Sequence, residues 1–120
     1  MTPPSTIVRG DEVIAKAISP EGHWRKLFLS PDGKTLLAEW SGECEIQTAY
    51  FISTGGGTPR AVTDYSRESA TSVALGWRGS RALVRLPVGE ASRRKPGVYL
   101  VDPSTLAKTL VRPLPRRYGC

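Results

Sequence analysis

The chain repeats itself at a spacing of 47 to 48 residues. Gly33-Lys34-Thr35-Leu36-Leu37-Ala38-Glu39-Trp40 realigns on Ser80-Arg81-Ala82-Leu83-Val84-Arg85-Leu86-Pro87, 47 positions on, and Ala49-Tyr50-Phe51-Ile52-Ser53-Thr54 on Gly97-Val98-Tyr99-Leu100-Val101-Asp102, 48 positions on. A period in this range, made of short apolar runs between turn residues, marks supersecondary units that bury their faces against one another. That constrains architecture far more than chemistry.

The units read as strands joined by turns. Trp24 to Ser30 runs into Pro31-Asp32-Gly33, where proline presets the first corner of a turn and glycine accepts a positive φ. Strands are expected at Lys34 to Trp40, at Cys44 to Ser53 with its Ile46, Thr48, Tyr50, Phe51 and Ile52, and, after a hairpin at Gly55-Gly56-Gly57, at Thr58 to Thr63. Pro59 lacks a donor, which suits an edge strand. The second unit follows the same plan: Thr71 to Trp77, a turn at Arg78-Gly79-Ser80, Arg81 to Leu86, a long polar connection from Pro87 to Pro96, Gly97 to Val101, a turn at Asp102-Pro103-Ser104-Thr105, and Leu106 to Arg112. Ahead of both, Thr6 to Arg9 and Glu12 to Ile18 form a hairpin over Gly10-Asp11, matching only the last two strands of a unit. The expected fold is all-β, built of antiparallel four-stranded meander repeats, with residues 6–18 a half unit, 22–63 the first full unit, 70–112 the second and 113–120 a tail.

Composition limits the function classes. At 120 residues the chain holds one domain's core, and 39% hydrophobic with 23% charged residues fits neither a disordered nor a membrane protein. No run approaches the roughly 18 apolar residues of a spanning helix. Residues 1–6 have no basic or apolar leader pattern, so the expected location is cytoplasmic as written, or periplasmic or extracellular for a processed fragment. Net charge is +6, and it is lopsided: residues 1–60 carry −1 and residues 61–120 carry +7. The excess gathers at Arg78, Arg81 and Arg85, at Arg93-Arg94-Lys95, and at Arg112, Arg116 and Arg117.

Ser30-Pro31-Asp32-Gly33-Lys34 followed by an apolar strand, and then Ala49-Tyr50-Phe51-Ile52-Ser53-Thr54-Gly55-Gly56-Gly57-Thr58-Pro59-Arg60-Ala61-Val62-Thr63, resemble the WD40-like repeat of the TolB-type β-propellers. The second unit departs from that pattern, with Trp77-Arg78-Gly79-Ser80 in place of Ser-Pro-Asp-Gly and Asp102-Pro103-Ser104-Thr105 in place of the glycine turn. The resemblance implies about two and a half blades of a partial propeller-like stack, acting as a rigid platform for contacts and bringing no catalytic residue. Pro31, Asp32, Gly33, Gly55, Gly56 and Gly57 are then structural turn residues. Closed propellers typically need four to eight blades. Two and a half cannot close, which implies self-association into a dimer or trimer, or packing of the units as a sandwich.

Candidate chemistry is sparse. His23, the sole histidine, has no nucleophile or orienting partner in the pattern a catalytic triad needs, and with Cys44 and Cys120 it lacks metal-ligand spacing. No cofactor, metal or catalytic residue is expected. Gly55-Gly56-Gly57 precedes a strand and not the helix that completes a phosphate loop. Glu39, Glu43 and Glu45 read as a solvated rim. The six strand aromatics, Trp24, Trp40, Tyr50, Phe51, Trp77 and Tyr99, read as packing between units, with the adjacent Tyr50 and Phe51 pointing to opposite faces. Arg81 and Arg85, with Arg93, Arg94 and Lys95, form the candidate partner-binding basic surface, able to hold an acidic protein or nucleic acid. Arg112-Pro113-Leu114-Pro115-Arg116-Arg117 has the composition of a polyproline II ligand, against the simpler reading of a strand-lying tail. The expected function is a non-enzymatic interaction module. The alternatives are a substrate-gating propeller fragment of a serine peptidase and a polyanion-binding basic surface.

Overall fold

The computed structural model describes residues 6–18, 22–42, 47–63, 71–87 and 95–113. Every regular element among them is a β-strand. Ten strands, β1 (Ile7–Arg9), β2 (Glu12–Ala15), β3 (His23–Leu29), β4 (Thr35–Ser41), β5 (Gln47–Ser53), β6 (Arg60–Ala61), β7 (Val73–Arg78), β8 (Arg81–Leu86), β9 (Gly97–Val101) and β10 (Lys108–Pro113), form three antiparallel sheets of two, four and four strands. Within each sheet the spatial order follows the chain, β1-β2, β3-β4-β5-β6 and β7-β8-β9-β10.

The sheets pack face to face, and the middle one is covered on both sides. Leu37, Ala49, Phe51 and Val62 of the middle sheet meet Ala74, Ala82, Val84, Leu86, Tyr99 and Val101 of the last. On its other side Trp24, Leu36, Ala38, Trp40, Tyr50 and Ile52 meet Ile7, Ile14 and Ala15 of the leading hairpin. Tyr50 and Phe51 thus serve the two seams separately, as the alternation of a strand requires. This double burial explains why β4 and β5 read as near-continuous apolar runs.

The two four-stranded sheets stack in the same sense. Their strands run in matching directions, and the β3–β4, β7–β8 and β9–β10 turns meet at one end of the stack around a shared cleft. Residues in equivalent places must therefore face the same way. Leu37 faces forward to the last sheet while Val84 faces back to the middle one, so the 47-residue alignment is one residue out of step. Leu36 and Ala38, like Ala82, Val84 and Leu86, are turned toward the sheet that precedes their own. A one-residue slip exchanges faces, and strands apolar on both sides carry no alternation to prevent it.

Several boundaries differ from the sequence reading. β6 is only two residues long, and β2 stops at Ala15. β10 starts at Lys108 because Asp102–Ala107 closes into a turn: Asp102 Oδ1 accepts the Ser104 and Thr105 N–H groups, and Leu106 adopts φ +64°. Thr71 and Ser72 stand outside β7. Ser72 instead bonds the middle sheet, its N–H donating to the Gln47 carbonyl (2.8 Å) and its Oγ accepting the Ala49 N–H (2.7 Å).

Gly22 enters β3 at φ +104°, where a Cβ would lie 2.1 Å from the Ser41 carbonyl oxygen and 2.9 Å from Trp40 Nε1. Gly22→Ala is expected to destabilise the fold by about 2 kcal/mol or more, because strain and overlap act together. A chemical-denaturation midpoint, compared with that of Gly10→Ala, checks this. Gly10 shares a positive φ but has open space around its Cβ position.

Candidate partner-binding surface

The turns at this end of the stack are held by hydrogen bonds. In the Ser30–Gly33 turn the Ser30 N–H donates to the Thr35 carbonyl and the Gly33 N–H to the Ser30 carbonyl. Asp32 Oδ1 accepts both the Ser30 hydroxyl (2.6 Å) and the Lys34 N–H (2.9 Å). These two bonds, the hydroxyl first, hold the Asp32 carboxyl below its ordinary pKa of 3.8. Gly33 takes φ +74°, and Gly56 and Gly57 take φ +94° and +118° in the β5–β6 connection. Arg60 ties that connection to the last sheet, donating to the Pro103 and Ser104 carbonyls at 3.1 and 3.3 Å.

Between these turns lies a cleft of about 280 Å³, lined by Ser30, Pro31, Asp32, Thr35, Trp77, Gly79, Ser80 and Pro103. Trp77 is the aromatic residue of its lining. The indole is fixed from two directions, by its Nε1–H donating to the Phe28 carbonyl (2.8 Å) and by the Phe51 ring 6.0 Å away.

A depressed carboxyl pKa stabilises the folded state above the unfolded value, and that contribution fades as pH falls through the folded one. Asp32→Asn is therefore expected to lower the thermal midpoint at pH 7. The gap to wild type should close as pH drops below 3.8. Thermal scans of both proteins from pH 7 to pH 2.5 check it; a gap constant across that range would contradict the role given to the carboxylate.

Of the candidate basic surface, Arg81 and Arg85 are both exposed on one face of β8, with half-buried Leu83 between them. Lys95 is exposed just before β9, and its carbonyl accepts the Tyr99 hydroxyl. Arg93 and Arg94 lie outside the described residues, as do Glu43, Cys44, Glu45 and Cys120. The register adds two cations to this face: Arg78 pairs with Arg81, and Arg85 and Arg112 flank Val98 from either side. His23 is exposed at the start of β3, opposite Ser41.

Glu39 corrects the sequence reading of a solvated rim. It is fully buried, pointing from β4 into the seam between the four-stranded sheets. Its Oε1 accepts the Ala74 N–H of β7 at 2.9 Å and lies 3.6 Å from Lys26 Nζ, while its Oε2 lies 3.4 Å from Arg25 Nε. Among the described residues Oε2 has no hydrogen bond, so its compensation is that charge contact. A bulge brings two consecutive cations to one carboxylate: Arg25 pairs with Glu39 and Leu27 with Ala38, leaving Lys26 as the extra residue at φ +53°. The first strand of the last sheet carries a bulge as well, between Ala74 and Gly76. The only sequence signal for Glu39 was its place two residues after Leu37, on the same side of its strand.

The leading side of the middle sheet is incompletely covered. The hairpin of β1 and β2 buries Leu36, Ala38 and Ile52, yet Leu27 and Leu29 of β3, which pair with Ala38 and Leu36 on that face, are 51% and 59% exposed. Val8 and Val13, opposite one another on the hairpin, are exposed outward.

No protein-family model matches the chain, no curated protein matches it, and no solved structure matches it.

Proposed function

We propose that the protein is a non-enzymatic, propeller-type interaction module that associates with copies of itself. One observation carries this reading: among the described residues the leading sheet has two strands where the others have four, and the apolar side chains Leu27 and Leu29 of β3 stand uncovered on the face it only partly covers. Phe28, facing the other way on the same strand, packs against the core beneath a full four-stranded sheet. Leu27 and Leu29 are the same kind of residue without that cover. Single exposed leucines are ordinary, but two on one strand beside an open sheet edge form a patch that association removes from water.

Leu29→Lys tests this directly. The side chain is mostly solvent-exposed, so folding stability should change by less than about 0.5 kcal/mol. Association should weaken at least tenfold, read as the concentration dependence of mass in sedimentation equilibrium. Unchanged association would contradict the assignment of this face.

A second reading rests on Arg78, Arg81, Arg85 and Arg112 gathered on the face of the last sheet turned away from the middle one. Such a face could hold a polyanion through phosphate or sulfate contacts. Retention on heparin should then fall steeply with salt, and Arg85→Glu/Arg112→Glu should elute earlier.

A further inference from the structure

We infer that the Trp77 cleft is the docking site for the proline- and arginine-rich C-terminal segment of a second copy of this chain. The cleft is lined by the Trp77 indole together with Pro31, Pro103 and Asp32. Polyproline II segments dock on aromatic-lined grooves because their rings stack on the indole face and little conformational freedom is lost. Residues 113–117, Pro-Leu-Pro-Arg-Arg, begin at the exposed last residue of β10 and supply two prolines for the indole and two guanidinium groups for the Asp32 side of the cleft. Asp32 Oδ1 accepts the Ser30 hydroxyl and the Lys34 N–H, and the exposed carboxylate, beside the Lys34 charge, adds a negative group to the cleft lining. The neighbouring Arg60 is engaged with the Pro103 and Ser104 carbonyls. Arg78 and Arg81 pair on the opposite face of their sheet from Trp77 and Ala82, so they do not oppose the incoming charge.

The reach of the chain makes this contact intermolecular. β10 leaves the turn at the cleft and runs away from it to Pro113, about 17 Å along the strand direction. Trp77 stands on β7, at the far edge of the four-strand order, about 14 Å across. Leu114 and Pro115 lie within about 7 Å of Pro113 along the chain. They cannot reach their own cleft, whereas those of another copy can. This contact is separate from the uncovered face of β3, and a monomer in which that face is blocked should still bind the segment.

The test uses the full-length Leu29→Lys chain and a synthetic peptide spanning residues 111–118, followed by the indole N–H signals in two-dimensional NMR. The Trp77 signal is identified by its loss in Trp77→Phe. The expected result is a saturable shift of that signal, weakened about tenfold or more, equivalent to about 1.4 kcal/mol, when the peptide carries Arg116→Glu/Arg117→Glu or Pro113→Ala/Pro115→Ala. Ser80→Arg in the protein, an exposed change that fills the cleft rim, should abolish the shift. No shift at millimolar peptide would overturn the inference. So would equal binding of the proline-free peptide, which would reduce the contact to nonspecific charge, or an undiminished shift in Ser80→Arg.

Discussion

Glu39→Ala is expected to destabilise the protein by about 2 to 4 kcal/mol. The carboxylate is fully buried, and taking such a group out of water costs several kcal/mol unless partners surround it. Here the partners are one N–H on the facing sheet and two cations on the neighbouring strand. Truncation leaves the buried Ala74 N–H without an acceptor, worth about 1 to 3 kcal/mol, and opens a void in the seam. Arg25 and Lys26 are 42% and 36% exposed, so each can be resolvated and neither is stranded. Removing one cation should therefore cost less than removing Glu39. Removing both leaves a buried charge with only a backbone donor, so Arg25→Ala/Lys26→Ala should exceed the sum of its single changes. Glu39→Gln keeps the acceptor for Ala74 and should fall between wild type and Glu39→Ala. Urea titrations of the five variants decide it; a near-neutral Glu39→Ala would show that the carboxylate's burial cost cancels its contacts.

Phe51→Ala is expected to cost about 3 to 5 kcal/mol, the range for truncating a buried aromatic ring. Its ring is 4% exposed in the seam between the four-stranded sheets and supports Trp77. The change should loosen both the seam and the aromatic lining of the cleft. Trp24→Ala should cost a similar amount for a different reason. Trp24 lies in edge-on contact with Trp40 and Tyr50, at 5.1 and 5.6 Å, and donates from Nε1 to the Lys16 carbonyl, so its loss frees the leading hairpin. Hydrogen exchange separates the two. Phe51→Ala should raise exchange at Ala74 and Val84, and Trp24→Ala at Ile7 and Ala15.

The all-β class and nearly every strand were legible because turn residues punctuate the chain at short intervals. Pro31-Asp32-Gly33, Gly55-Gly56-Gly57 and Gly79-Ser80 each close a connection between adjacent strands. The facing of strands was not legible in β4 and β5. Leu36 and Leu37 serve opposite seams, and nothing in an apolar pair says which is which. The same blindness hid Glu39, since a charged residue beside Trp40 looks like a strand end until the second sheet is seen to cover it. The bulge at Lys26 had no residue signal either, because the bulged position is a lysine where glycine would have announced a positive φ. Arg85 and Arg112 are 27 positions apart, and only the register across β9 brings them to one face.

The central claim is that copies of the chain cover the exposed face of β3. Light scattering coupled to size exclusion, run on the wild-type chain across a hundredfold concentration range, tests it most directly. The account predicts a mass of two or more times 13.0 kDa that falls toward the monomer on dilution. A mass of 13.0 kDa maintained at the highest concentration would contradict it.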